Sequence, residues 1–291
     1  MPSFSIIIPV KPGGYVAALQ CLREIASPYP FEILVAEGCL PSRQRNEAVN
    51  ESSGEIIYFL DDDSLVTSDC LAICVDAFEN SAVAAVGGPS LTPDDDSTLQ
   101  QLFGSALASM FGAGAVRNRY RAIGDIRETT DRELILCNLA MRKEVFLSLG
   151  GFDERLYPNE ENELLERVIA SGKKLAHAPQ MAVYRSQRKT LGQFIRQMFS
   201  YGRGRAQQTF ISGSVSVVSL APLVFIGYLA SLFFVPLSGP VILPLLAYIV
   251  LDIIFSLSAV LTSKIAARGF LLFLFPAIHI ANGCGLLCGL L

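Results

Sequence analysis

The chain sets three aspartates, Asp61, Asp62 and Asp63, directly behind the apolar run IIYFL at residues 56–60. Like charges repel, and a carboxylate beside a core is costly to dehydrate. One use for the trio is local, as a helix cap or an Asx turn. The other is to hold a cation. Side chains alternate along an extended segment, so Asp61 and Asp63 are expected on one side of it and Asp62 on the other. Two carboxylates so placed make a hard-oxygen site of the kind Mn2+ or Mg2+ uses, with positions left open for phosphate oxygens. Such an ion relieves the repulsion and neutralises a departing diphosphate.

A second acidic centre is NEENELLERV, residues 159–168. Leu164, Leu165, Val168 and Ile169 make an apolar stripe of helical period, with Glu161, Asn162, Glu163 and Glu166 largely off it. Carboxylates in a first helical turn are favoured by the helix dipole, so part of this cluster reads as ordinary capping. The rest suits a general base, which an inverting sugar transfer needs opposite the leaving group. Glu161 is the candidate base, with Glu160 orienting it. Glu37 ends a neighbouring strand and reads either as an acceptor for a base or ribose or as a turn residue. Arg43 and Arg45 either reach a diphosphate or solvate a helix surface.

The elements that must position these groups alternate. Strands are expected at Phe4–Val10, Phe31–Ala36, Glu55–Leu60 and Val83–Val86, with helices at Tyr15–Ile25, Ser42–Asn50 and Thr67–Phe78. This β–α–β order argues for a mostly parallel sheet with helices on both faces, whose ligands gather beyond the carboxyl ends of the strands. A strand at Leu134–Met141 and a helix at Arg142–Leu149 follow a long insertion, residues 89–133. Its apolar run LFGSALASMFGAGAV reads as a helix packed on the sheet or touching lipid, and its charged exit RNRYRAIGDIRETTDRE as solvated and partly mobile.

Of 291 residues, 51% are hydrophobic and 17% charged, against about 25% charged in ordinary soluble domains. The excess is local: residues 211–291 carry only Asp252, Lys264, Arg268 and His279 as chargeable side chains. Three spans are expected there, Val215–Val235, Val241–Leu261 and Phe270–Leu290. An ionisable group within a span, here Asp252, should face protein, and Gly285 and Gly289 have helix-packing spacing. Lys264 and Arg268 between the last two spans favour the cytoplasmic side. The start MPSFSIIIPV reads as a strand rather than a signal peptide. Net charge −4 disfavours nucleic acid as a partner. The seven cysteines form neither a disulfide pattern nor a zinc site, and Cys70 and Cys74 read as buried small residues. No GxxxxGK[ST] loop exists, and no GxGxxG follows the first strand.

In their order and spacing, SIIIPV, ILVAEGC, RQRNEAVNESSGEIIYFLDDDS, LCNLAMRKEVFLSLGGFDE and NEENELLERV resemble the family 2 glycosyltransferases of GT-A fold. The similarity covers residues 4–205 and points to membrane-attached members that build bacterial exopolysaccharides of the succinoglycan type. It implies an α/β GT-A domain over residues 1–208 and a multi-pass membrane region over 209–291, in the cytoplasmic membrane with the catalytic domain facing the cytoplasm. The resemblance assigns Asp61 and Asp63 to Mn2+ or Mg2+ and the nucleotide diphosphate. Pro9, Glu37, Arg43, Asn46, Asp61 and Asp62 hold the nucleotide sugar, and Glu161 with Glu160 serves as base. QMFSYGRGRA is similar to the basic segment of membrane-attached members, so Arg203 and Arg205, with Asn138, are expected at the acceptor or diphosphate; an interfacial anchor is the plainer use of the two arginines.

Two departures matter. The family's Asp-Asp-Gly-Ser turn is Ala-Glu-Gly-Cys here, and the Gln-x-x-Arg-Trp motif of processive synthases is missing from a chain without tryptophan. The expected activity is therefore transfer of one sugar per encounter from a nucleoside diphosphate donor to a lipid-linked glycan. A polyprenyl-phosphate sugar synthase is the nearest alternative, and a non-catalytic membrane scaffold a more distant one.

Overall fold

The computed structural model describes residues 1–213, 220–236 and 238–291. They form two compact units, Met1–Pro93 with Ala115–Ser186, and Asp94–Gly114 with Gln187–Leu291. The expected division after residue 208 follows composition. By packing, the chain enters the second unit at Gln187 and contributes part of the insertion to it.

The first unit begins β1 (Phe4–Val10), α1 (Ala18–Glu24), β2 (Phe31–Glu37), α2 (Pro41–Glu51) and β3 (Ile56–Leu60). It continues through β4 (Leu65–Val66), α3 (Cys70–Ala77), β5 (Val83–Gly87) and β6 (Ser90–Leu91). After α4 (Thr98–Leu107) and α5 (Met110–Ala113), which belong to the second unit, it resumes with β7 (Arg127–Thr129), β8 (Asn138–Arg142) and α6 (Lys143–Ser148). It ends with α7 (Glu160–Ala170), β9 (Lys174–His177) and β10 (Val183–Tyr184).

Seven strands form one sheet in the order β2-β1-β3-β8-β5-β9-β7, and β4-β10-β6 form a small second sheet. The α/β architecture is as expected and most strands of the sheet run the same way, but two are reversed: β8 runs antiparallel to both β3 and β5, and β7 to β9. The register supplies the reason. Leu60 lies opposite Asn138, so the insertion brings the chain back to the edge where β3 ends instead of crossing over, and a strand starting at that edge must run backwards.

Alternation along β3 sorts two cores. Ile56, Tyr58 and Leu60 pack with Ala18 and Leu22 of α1 and Cys70, Leu71 and Cys74 of α3. Ile57 and Phe59 pack with Ala48 and Val49 of α2, Val145 and Phe146 of α6, and Leu164, Leu165 and Val168 of α7. Cys70 and Cys74 are fully buried free thiols, as expected, and burial pushes the Cys70 thiol up to about 12. The charged exit of the insertion is solvated over residues 122–126 as expected, but residues Gly114–Tyr120 make a 3-10 helix that buries Arg119.

The second unit holds α4, α5, α8 (Leu191–Ser212), α9 (Ala221–Ser231), α10 (Gly239–Ser263) and α11 (Leu271–Leu290). The apolar run of the insertion packs within this unit. Phe103 stacks on Phe194 at 4.1 Å, and Phe111 contacts Tyr248, Phe255, Phe275 and His279. Gly239–Ser263 and Ala266–Leu290 are apolar and 25 residues each. At 1.5 Å per residue each exceeds a hydrocarbon core of about 30 Å. The first expected span starts in residues 215–219, outside the described residues; the helix described in the rest of it, α9, has 11 residues. Asp252 is buried and accepts from Ser256 Oγ at 3.3 Å. Helices α8 and α11 meet at glycines: a side chain on Gly202 would strike the Asn282 backbone, and one on Gly285 the Phe199 backbone, the close approach that small residues permit.

Candidate active site

Parallel pairing puts the ends of β1, β2 and β3 at one edge of the large sheet, with Val10 opposite Glu37. Gln44 on α2 donates to the carbonyls of Val10 (3.0 Å) and Ala36, locking the two strand ends together. The exposed Glu37 carboxylate accepts from Gly13 N–H at 2.6 Å, and Gly13 has a positive φ of 69°, which glycine tolerates. Pro9 lies half-buried beside Ala36.

Behind β3 the aspartates form a turn, not the extended segment expected: Ser64 N–H donates to Asp61 O at 3.1 Å, and Ser64 Oγ donates to Cys137 O at 3.1 Å. A buried serine and an i to i+3 bond favour the turn over alternation. Asp61 and Asp63 meet all the same, through a shared cation. Arg185, just beyond β10, reaches Asp61 Oδ2 from Nη2 at 3.2 Å and Asp63 Oδ1 from Nε. Burial works against the charge on Arg185, but Asp61, ahead of Asp63, outweighs it and holds its pKa well above the ordinary value. Asp62 is half-buried with its carbonyl on Ala18 N–H at 3.0 Å. Burial first, then Asp63 and Asp61, raise its pKa.

Arg45 joins this corner to the second acidic centre. Its side chain is 4% exposed and reaches Asp61 Oδ1 at 2.9 Å and Glu160 Oε1 at 3.1 Å. Glu160 opens α7 and is 2% exposed. Burial pushes its carboxyl above the usual range in spite of Arg45, and Glu161 adds to the push. Glu161 is also buried; its Oε1 accepts from Asn162 Nδ2 at 3.2 Å and lies 3.5 Å from Arg119 Nη1. Arg119 is itself fixed by Asn162 Oδ1 (2.5 Å), Asp131 O (2.7 Å) and Arg132 O (2.9 Å).

One face of α2 holds the loop that leads into α7. Ser42 Oγ donates to Leu156 O at 2.9 Å, and Asn46 pairs with both the N–H and the C=O of Phe152 at 2.9 Å. With Arg45 these residues share a helical face at i, i+3 and i+4. From the other side, Arg167 grips Glu163 with two bonds of 2.7 Å and donates to Gly151 O.

The structure thus brings together Asp61, Asp63, Glu160 and Glu161. It does not bring Arg43, which lies two residues from Arg45 on another face and pairs with Glu154 at 3.2 Å, more than half exposed. Asn46 is a loop tether. Asn138 is in the core, not at an acceptor: fully buried, it accepts from Tyr58 OH at 2.7 Å and donates to Met181 O at 2.5 Å. Its position at the start of β8, in register with Leu60, puts it under the corner instead of in it. Arg203 and Arg205 lie on α8 in the second unit.

Whether a divalent ion suits Asp61 and Asp63 is answered by their donors. Both offer hard carboxylate oxygens, and both turn one of them to the same guanidinium, on separate nitrogens. No group of three or more His, Cys, Asp or Glu side chains able to hold a metal exists among the described residues. An ion here would therefore complete its shell from water and phosphate oxygens, as magnesium and manganese do.

Among proteins of known role, the chain is 28% identical over 174 residues to the succinoglycan biosynthesis protein ExoA of Rhizobium meliloti, covering 57% of this chain and 50% of that one. It is 25% identical over 235 residues to the O-antigen chain rhamnosyltransferase WbaN of Salmonella anatum, covering 69% of this chain and 72% of that one. The chain thus spans about half the length of ExoA. Among solved structures, mannosyltransferase PcManGT from Pyrobaculum calidifontis in complex with GDP-Man and Mn2+ has a TM-score of 0.58 at 14% identity, covering 98% of this chain and 87% of that one. At that identity the likeness concerns the fold, which is GT-A. Residues 56–263, more than half of the chain, match the family described as Glycosyl transferase family group 2, and to that family, with its GT-A fold, the chain belongs.

Proposed function

We propose that the chain transfers a sugar, with inversion, from a nucleoside diphosphate donor to a lipid-linked glycan in surface or exopolysaccharide biosynthesis. The observation that carries this reading is the Arg45 bridge, which fixes Asp61 at the end of β3 and Glu160 at the start of α7 on one guanidinium. The bridge supports a donor corner lying beside the start of α7, where Glu161, the proposed base, follows Glu160. Family membership and the names of ExoA and WbaN support the reaction class and the polysaccharide setting.

In this mechanism Glu161 takes the proton of the acceptor hydroxyl. The hydroxyl oxygen bonds to the anomeric carbon, and the bond from that carbon to the diphosphate breaks with its electrons on the leaving nucleoside diphosphate. Asp61 and Asp63 would hold Mn2+ or Mg2+, which when bound offsets the negative charge of the leaving group. Glu37 and Asp62 contact the donor nucleotide or sugar, and Arg119 with Asn162 aims Glu161. In this reading the first unit faces the cytoplasm, Gly239–Ser263 and Ala266–Leu290 cross the cytoplasmic membrane, and one further crossing ahead of Gly239 returns Lys264 and Arg268 to the cytoplasmic side. Arg203 and Arg205 are proposed to meet the acceptor's anionic head.

The test is thermal melting of the full chain in detergent with MnCl2 and a panel of nucleotide sugars. A donor at a hundred times its Kd stabilises by about 2.7 kcal/mol. One donor should stand out, the shift should vanish in Asp61→Asn/Asp63→Asn, and mass analysis should find its sugar on a lipid-linked glycan. A panel without any shift, or the sugar found on a bare polyprenyl phosphate, would overturn the reading.

A further inference from the structure

Three negative groups in a row need positive charge, and the chain supplies its own. The backbone, not the side chain's reach alone, puts Arg185 there. Tyr184 pairs with Leu65, immediately beyond the aspartate turn, and with Leu91, while Arg185 N–H donates to Leu91 O at 2.9 Å. This small sheet has two-residue strands, too little to bury a core of its own. It positions one guanidinium against two carboxylates, and those carboxylates are the pair that would hold a divalent ion. An ion and a guanidinium compete for those oxygens, and their like charges repel.

We infer that Arg185 is the resting counter-ion of the donor corner: it releases Asp61 and Asp63 when a divalent ion binds, and its freed fork, still tethered by β10, turns to the donor's diphosphate. The second half rests on the proposed donor site. Arg45 cannot play this part, because Glu160 holds its other nitrogen and its side chain is buried. The Arg185 side chain is 23% exposed and Asp63 48%, so solvent reaches the pair and exchange is open. A planar fork matches phosphate oxygens as well as carboxylates. Arg185 therefore makes the ion weak alone and strong with nucleotide, which is positive coupling between two ligands.

The test reads Mn2+ binding directly, by the electron paramagnetic resonance signal of the free ion, on full chain in detergent without nucleotide. Arg185→Gln should bind Mn2+ at least about tenfold more tightly than the parent, a factor equal to about 1.4 kcal/mol, with Arg185→Lys between them. A residue that merely braced the fold would not tighten a metal site when removed. GDP or UDP should then tighten Mn2+ in the parent and have a smaller effect on Arg185→Gln. Equal or weaker Mn2+ binding in both variants, or none in any form, overturns the inference. Should the variants fail to fold, phenylglyoxal mapping of the parent decides it. Arg185 should react faster with Mn2+ than without and be protected again by Mn2+ plus GDP or UDP; unchanged reactivity overturns it. If Mn2+ behaves as stated but neither nucleotide binds the parent, the donor reading fails and takes the second half with it, whereas the exchange at Asp61 and Asp63 stands on the Mn2+ data.

Discussion

Replacing Arg45 by methionine tests the electrostatic design of the site most sharply. Methionine keeps the apolar stem and removes the charge. Removing one partner of a buried ion pair costs about 3–5 kcal/mol, because the other is left uncompensated. Here the cost falls unevenly. Asp61 is 24% exposed and keeps Arg185, so it loses little. Glu160 is 2% exposed, and Arg45 is the basic residue within ion-pair distance of it among the described residues. The deficit is bounded by how far the pH passes the raised pKa of Glu160, about 8: about 1 kcal/mol at about pH 8.5 is expected, or about 2–4 °C at about 2–4 °C per kcal/mol for a unit of this size. The pH dependence identifies the culprit. The folded pKa of Glu160 already lies above its unfolded value, so folding takes up a proton, and the parent loses stability as pH rises from the ordinary carboxylate range through that raised value. Without Arg45 the folded pKa climbs further. The deficit of Arg45→Met relative to the parent is then small at about pH 5.5, where Glu160 keeps its proton in both folded proteins, and grows toward about pH 8.5.

Melting can be followed with a thiol-reactive dye, since the chain has no tryptophan and Cys70, Cys74 and Cys137 are buried. Arg45→Met/Glu160→Gln removes both charges and should recover most of the loss, with a double-mutant coupling of about 1 kcal/mol at about pH 8.5, within the range for residues in one ion-pair network. Arg43→Met is the control: its pairs are exposed and worth about 0–1 kcal/mol. A deficit equal at both pH values, or a double variant no better than the single one, would refute the reasoning.

Two further outcomes follow from the same geometry. Glu161→Gln should lower kcat by about 10²–10⁴ while leaving donor binding by thermal shift unchanged within about twofold; a parental rate would remove Glu161 from the role of base. Tyr58→Phe deletes a 2.7 Å bond to Asn138 with both residues fully buried, and melting should show a loss of about 1–3 kcal/mol with little change in kcat if Asn138 acts through packing alone.

What the sequence displays and what it hides divide along physical lines. The strands β1, β2, β3 and β5 are legible because each is an apolar run closed by glycine, proline or acidic residues. The direction of β8 is not, since it depends on where the insertion re-enters the sheet. Nor are β4, β6 and β10, because two residues carry no period. The face of α2 is half legible. Arg45 stands four residues before Val49, which is buried, and three after Ser42, so helical spacing alone separates it from Arg43. Its polar neighbours mask that stripe. Five acids, Asp61, Asp62, Asp63, Glu160 and Glu161, cannot converge unless cations converge with them, and the residue types alone impose that demand. Which arginines answer it depends on contacts between distant parts of the chain. Arg119 sits in a run that reads as solvated, and Arg185 is brought in by pairing with residues about 120 positions earlier. Its role is decided by topology, which is why the chemistry of the corner is visible in the sequence while its resident charge is not.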